Sequence, residues 1–202
     1  MIKKLALPGL FAIPMLLGAC SGILSSEQAA QQIYLLEPVA LSAKNPAAEE
    51  LPVLVFALSA VPGLDTNRIQ ALDADARLNQ YGNARWPDFL PETLTSVVRR
   101  SLVSSDRFAA ITTATSATSD GWELTLEVQQ FYGVQRVRGT TDRVSAVFGG
   151  RLQCGTQDHR LDLSASIPVS EERLSVVVAA YQQALDDVTH QLWVQIESRC
   201  EI

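Results

Sequence analysis

The sequence predicts a mixed α+β domain, and three patterns predict it. Three successive segments alternate apolar and polar residues: Trp122 to Gln129, Val144 to Cys154 and Leu161 to Ile167. Alternation of period two is the mark of strands with one wet face, so these segments form a C-terminal antiparallel meander. Ahead of them, Leu51 to Val61 is apolar at almost every position, which reads as a strand buried on both faces at the centre of a sheet. Two further stretches, about 88–104 and 171–199, carry apolar residues at three- and four-residue steps, the stripe of a helix lying on that sheet.

The chain opens with Lys3 and Lys4 before an apolar run from Leu5 to Leu17. That run is too short to span a bilayer, which takes about 20 apolar residues, and it fits a cleaved export leader over residues 1–19. An ordinary secretory leader shares this charge and length. Leu17-Gly18-Ala19-Cys20 adds a lipobox: small residues let the backbone enter a peptidase cleft, and the Cys20 thiol is the nucleophile for a diacylglyceryl donor. The mature chain then begins at an acylated Cys20, anchored and not spanning. Ser21 stands where an Asp retains many lipoproteins at the inner membrane, which points to the outer membrane.

Losing Lys3 and Lys4 takes the formal charge from −6 to −8. Lys and Arg are scattered and only Arg99 and Arg100 adjoin, so nucleic acid is not an expected partner and anionic membrane surfaces are not expected to attract the chain. With Cys20 committed to lipid, Cys154 and Cys200 remain as a pair in an oxidising compartment, where a disulfide is the default. Buried thiols are the other structural reading. A redox or metal site lacks a C-x-x-C or any repeat of ligand spacing around His159.

Residues 20–32 are Ser-, Ala- and Gln-rich, the composition of a tether, and the domain occupies 33–202. Ile33 to Glu37 predicts a short strand ended by Pro38. Pro62-Gly63 predicts a turn before a strand from Ile69, with Arg77 to Tyr81 as its hairpin partner and Gly82-Asn83 as the next turn. Pro87 suits the first turn of the first helix, whose stripe is Leu90, Leu94, Val97, Val98 and Leu102, and Ser104-Ser105-Asp106 stops it. Phe108 to Ile111 follows as a short strand and Thr112 to Asp120 as a loop. In the meander, Gly149-Gly150 marks a bulge or a close backbone approach. Ser170-Glu171-Glu172 supplies a cap and an acidic first turn for the last helix, with a stripe of Leu174, Val177, Val178, Tyr181, Leu185, Val188, Leu192 and Ile196.

Chemistry-bearing motifs are sparse. His159, read as a turn residue, and His190, read as a rim residue, are the only histidines, and neither belongs to a nucleophile elbow, a phosphate loop, a dinucleotide fingerprint or an H-E-x-x-H motif. Asp73/Asp75 and Asp186/Asp187 read as solvated carboxylates. No cofactor and no metal is expected. Tyr81, Arg85 and Trp86 cluster ahead of a helix, where an aromatic and a guanidinium form either a core staple or a partner contact.

The lipobox, the Tyr34-Leu35-Leu36 strand, Leu51 to Val61, Leu64-Asp65-Thr66-Asn67-Arg68-Ile69 and Tyr81-x-x-x-Arg85-Trp86 together resemble the ABC-type transport auxiliary lipoproteins, to which the paraquat-inducible C-type lipoproteins belong. The likeness runs from about Tyr34 to the last helix. One departure is Tyr-Leu-Leu where the family has Tyr-Thr-Leu. The resemblance implies a periplasmic, non-catalytic adaptor on the outer membrane, serving an intermembrane lipid transport system with an ABC transporter and a mammalian-cell-entry-type protein. It implies a homo-oligomer in some members, and a partner interface that includes Leu64, Asp65, Arg68, Arg85 and Trp86. A second reading is a lipoprotein that binds a lipid or envelope component in a pocket between sheet and helix; a cell-wall enzyme comes third.

Overall fold

The computed structural model describes residues 30–42, 50–113, 121–137 and 139–200, so the leader, the lipobox, Cys20 and most of the tether lie outside the described residues. The elements run β1 (Gln32–Ile33), β2 (Val53–Ala60), a 3-10 turn (Pro62–Leu64), β3 (Arg68–Leu72), β4 (Leu78–Arg85), α1 (Leu90–Val103), β5 (Ala110–Thr112), β6 (Trp122–Val134), β7 (Arg143–Cys154), β8 (Gln157–Pro168) and α2 (Leu174–Arg199). All the strands join one mixed sheet, and β6 is its spine. Along one edge β6 pairs antiparallel with β7 from Trp122↔Cys154 to Val134↔Arg143, and β8 continues that meander. Along the other edge it takes two parallel partners in succession, β2 from Leu54↔Trp122 to Ala60↔Val128 and then β3 at Ala71↔Gly133 and Leu72↔Val134. Outside them lie β5, parallel to β2, and β4, antiparallel to β3, with β1 parallel to β4.

The predicted alternation is present in β6, where Trp122, Leu124, Leu126 and Val128 are buried and the residues between them exposed. A register shift between Val128 and Gln130 then changes the parity, so that Phe131 is again in the core. The bulge thus lies on β6. Gly149-Gly150 across from it serve close approach: a Cβ on Gly150 would run into the Thr125 carbonyl oxygen, and one on Gly149 would meet Gln129 Nε2 at 2.6 Å.

Both helices cover the same face. The stripe of α1 is buried as predicted, and that of α2 is buried except for half-buried Leu174. Trp193, absent from the predicted stripe, is also buried. Each helix starts later than its sequence suggests. Pro91, not Pro87, occupies the first turn of α1. Glu171 and Glu172 are engaged outside α2, with Arg173 Nε donating to Glu171 at 2.8 Å and the Thr140 hydroxyl to Glu172 at 2.6 Å, so the first turn of α2 holds no acid.

Three strand expectations are corrected. One face of β2 is open, with Val53, Ala57 and Ser59 exposed, because no helix lies there; its small apolar side chains mimic a doubly covered strand. The Ile33–Glu37 strand shrinks to Gln32–Ile33, and residues 34–42 form a strap over the helices instead. Leu36 and Leu41 are buried under it. Glu37 N–H and C=O bond the Gln182 amide, the Val39 and Leu41 N–H groups donate to Ser101 and Ser104 hydroxyls at 3.0 Å, and Trp193 Nε1 donates to Ser42 C=O at 3.2 Å. Finally, Gly82-Asn83 does not end a strand: β4 bulges there, Asn83 taking φ +58, and resumes to pair Arg85 with Arg68. The turn chemistry is genuine but serves a bulge.

Asp73, expected to be a solvated carboxylate, is buried and builds the β3–β4 turn. Its Oδ1 accepts from the Asp75 and Arg77 N–H groups at 3.0 and 2.9 Å, and its Oδ2 from Arg77 Nε and Asn79 Nδ2 at 3.1 and 3.0 Å. These donors, the Arg77 N–H first, lower its pKa from 3.8 to about 2 against the opposing effect of burial. At the other end of the molecule Cys154, closing β7, is bonded to Cys200, capping α2, with Cα atoms 5.9 Å apart.

Cys154→Ser should therefore remove about 4 kcal/mol, the chain-entropy value for a loop of this length, and reductant should reproduce the loss in urea melts of the parent protein. Asp73→Ala should destabilise at neutral pH. Because the folded pKa is depressed, that difference should be full above pH 4 and vanish as pH falls towards 2 in acid titrations of the two proteins.

Candidate docking surface

The two sequence clusters singled out for partner contact, Leu64 to Ile69 and Tyr81 to Trp86, are latched to one another. Leu64 closes the 3-10 turn with its N–H on Val61 C=O at 2.8 Å, and Thr66 N–H donates to Leu64 C=O at 2.8 Å. The outgoing carbonyls then capture the second cluster: Asn67 C=O accepts Trp86 N–H at 2.8 Å, and Thr66 C=O accepts Leu90 N–H at 3.1 Å, tying the start of α1 to the turn.

Burial divides the expected interface. Leu64 and Trp86 are each 1% exposed and cannot meet a partner in this fold; both belong to the core. The Trp86 ring sits edge-on to Tyr181 at 5.5 Å and 6.2 Å from Phe131, and Phe131 in turn contacts Tyr181 at 5.1 Å and Phe148 at 6.3 Å. Asp65 is exposed, while Arg68 and Arg85 are half-buried on the sheet face away from the helices, since their neighbours Ile69, Ala84 and Trp86 point into the core. The surface that remains is thus cationic rather than aromatic.

Behind it stands a residue whose polar role the sequence did not disclose. The Tyr181 hydroxyl accepts from Gly133 N–H at 2.6 Å and donates to Gln70 C=O at 2.5 Å. Burial pushes its pKa well above the ordinary tyrosine value, with the Tyr81 phenol adding to the shift and the Gly133 N–H opposing it. It is a proton donor at every physiological pH. Its apolar spacing in the helix stripe signalled burial, but nothing local signalled the two backbone partners.

The ring cluster fills the space between sheet and helices where a ligand pocket was the second expectation. Hollows open at the surface instead, among them one of about 580 Å³ with Arg136, Asp142 and Arg143, one of about 530 Å³ beside α1 with Leu58, Arg99 and Ile111, and one of about 280 Å³ between the strap and α1 with Leu35, Asp88 and Arg100. Among the described residues no group of three or more His, Cys, Asp or Glu side chains could hold a metal ion. His159 belongs to β8, opposite Leu152, rather than to a turn, and His190 is exposed on α2. Gln182 Nε2 donates to Asp186 at 2.7 Å, yet burial dominates and raises the Asp186 pKa.

The family model for the ABC-type transport auxiliary lipoprotein component matches residues 34–192. The chain belongs to this family. The matched stretch of the auxiliary lipoprotein begins with the strap and takes in both latched clusters and most of α2. A crystal structure of a Xanthomonas campestris protein of the DUF330 family is similar in fold, with a TM-score of 0.62 and 21% identity over 82% of this chain and 94% of that one. A crystal structure of an uncharacterized protein matches with a TM-score of 0.65 and 14% identity, covering 83% of this chain and 99% of that one. No curated protein matches the sequence.

Tyr181→Phe should cost about 1–3 kcal/mol, the usual penalty for a buried N–H left without an acceptor, and Trp86→Ala about 3–5 kcal/mol. Asp65→Ala should stay within about 0.5 kcal/mol. Urea denaturation of the three variants checks this order, and a neutral Trp86→Ala would contradict the core assignment.

Proposed function

We propose that this auxiliary lipoprotein is a non-catalytic adaptor, anchored by an acylated Cys20 to the outer membrane, facing the periplasm and serving an intermembrane lipid transport system. Its partners are then an ABC transporter and a mammalian-cell-entry-type protein. Membership of the family over 34–192 carries the reading, with a lipobox cysteine fourteen residues before the matched stretch. Two structural facts support it. The interior is packed with aromatic rings, leaving the surface as the working part. Among the described residues no helix is long and apolar enough to cross a membrane, so attachment through lipid suits the domain.

The adaptor acts by position. An acyl chain adds about 0.8 kcal/mol of membrane affinity per buried methylene, and more than one chain makes the anchor durable. A tether of the length of residues 20–32 spans at most about 40 Å when fully extended, which restricts the domain to a shell beside the bilayer. Confinement raises its effective concentration for any conduit ending there.

Replacing Cys20 by Ala in the chromosomal gene tests this. The expected outcome is loss of palmitate labelling, release of the protein from outer-membrane fractions, the detergent sensitivity of a gene deletion, and failure to co-purify the mammalian-cell-entry-type protein. Wild-type growth in detergent with an unlabelled, unanchored protein would refute the adaptor reading.

A further inference from the structure

The wing formed by β1, β4 and β3 carries a row of side chains across its open face. Arg68 and Arg85 are register partners on antiparallel strands, and Ile33 is the register partner of Arg85 on the next strand. Paired residues project from the same face, so Ile33, Arg85 and Arg68 form a row across three strands. Two like charges directly opposite one another repel and are ordinarily relieved by a carboxylate. Here none relieves them: neither guanidinium forms an ion pair with a described residue, as is also true of Arg99, Arg100, Arg143 and Arg199, but of these only Arg68 and Arg85 stand directly opposite one another. Arg85 Nε is buried with no hydrogen-bond partner, although buried polar atoms are nearly always satisfied. In that row Ile33 is 51% exposed, and Leu35, two residues further along the chain and bordering the hollow between the strap and α1, is 63% exposed.

We infer that this wing docks on the anionic lipid surface of the membrane that holds the anchor, with Arg68 and Arg85 sharing lipid phosphates while Ile33 and Leu35 enter the headgroup layer. The occupant follows from where the chain leaves the domain: the segment running back to Cys20 departs from β1, which is the strand carrying Ile33. A bilayer holding the lipid anchor is therefore within reach of this edge of the sheet. Cations beside apolar side chains match the sequence of layers in an anionic leaflet, phosphate outside and hydrocarbon within. The net charge of the mature chain opposes membrane binding only as an average; over a Debye length of about 8 Å the local pair decides. Nearby Asp88 is turned to its own chain, its Oδ1 accepting the Phe89 N–H at 2.8 Å, and Asp65 makes no ion pair among the described residues.

The inference rests on the lipoprotein reading, and the experiment separates the two. Full-length, acylated protein is placed in phosphatidylcholine vesicles with or without phosphatidylglycerol, bearing a polarity-sensitive fluorophore at Leu35→Cys or, as the control, at Asp187→Cys on α2. The expected result is a blue shift at position 35 only with phosphatidylglycerol, and none at 187. Changing both arginines to Gln should lower the ratio of docked to free domain about thirtyfold, roughly five- to sixfold per guanidinium, while changing both to Lys should keep most of it. The Lys variant also keeps the test valid if the Gln variant folds poorly. An equal shift on neutral vesicles, a shift indifferent to the Gln variant, or displacement by inorganic phosphate beyond that of matched sodium chloride would overturn the inference. Protein that fails to float with any vesicle would overturn the anchor instead.

Discussion

A single phenol oxygen holds this sheet at its most divided point. β6 hands its free edge from β2 to β3, and the β3 pairing amounts to Ala71↔Gly133 and Leu72↔Val134. The Tyr181 hydroxyl bridges Gly133 N–H and Gln70 C=O one step before that pairing begins, standing in for a rung the diverging backbones cannot make. Its ring is held by Trp86 and Phe131, so α2 fixes the hydroxyl and the hydroxyl fixes the wing. Gly133 has no freedom to change, because a Cβ there would strike the Tyr81 hydroxyl and lie 2.9 Å from the Thr141 methyl. The bond between Tyr81 and Thr141 closes the same junction. A network with both ends of its hydroxyl satisfied is rigid, whereas a half-satisfied one would be a liability in so dry a place.

The strap supplies the second constraint and links packing to attachment. Its N–H and C=O groups are met by side chains of α1, through Ser101 and Ser104, and of α2, through Gln182 and Trp193. A segment that would otherwise lie across apolar helices with unsatisfied backbone is thereby docked, and it stitches together two helices that touch each other little. Any pull arriving from the membrane side reaches β1 and then this strap, whose bonds run into both helices and whose Leu36 and Leu41 are in the core. Under the anchored reading, load on the N-terminus is spread over both helices.

Most of the fold was legible because its elements are amphipathic: the stripes of α1 and α2 and the first half of β6 could be read from spacing alone. The failures share one cause, tertiary pairing that leaves no local mark. Glu171 and Glu172 look like the first turn of a helix, but Thr140 and Arg173 claim them. Tyr34 to Ser42 looks like a strand and then a loop, and its role depends on serines sixty residues away. Asp73 looks solvated because the sequence shows a charge and not the four donors that surround it. In the candidate surface, the sequence drew attention to the neighbourhood of Trp86 and Arg85, yet strand parity sends Trp86 inward and Arg85 outward, so the guanidinium and not the ring reaches the surface.

Charge is distributed on the open face in a way that gives the molecule a direction. In the meander, Arg151 is paired with Asp158 and Arg160 with Asp162, and exposed Glu123 and Glu127 add negative charge on β6. In the wing, Arg68 and Arg85 are left without such partners. One sheet therefore carries a slightly acidic half, where half-buried Arg143 offsets part of the Glu123 and Glu127 charge, and a cationic half, joined at the Tyr181 hydroxyl. An anionic bilayer repels the first and attracts the second, so under the anchored reading the domain tips its wing to the lipid and turns its meander to the periplasm. Tethering alone would leave orientation free, because a flexible segment restrains distance and not angle. Under that reading an adaptor that works by position needs both, and the asymmetry of a single face would supply the angle that a lipid chain does not.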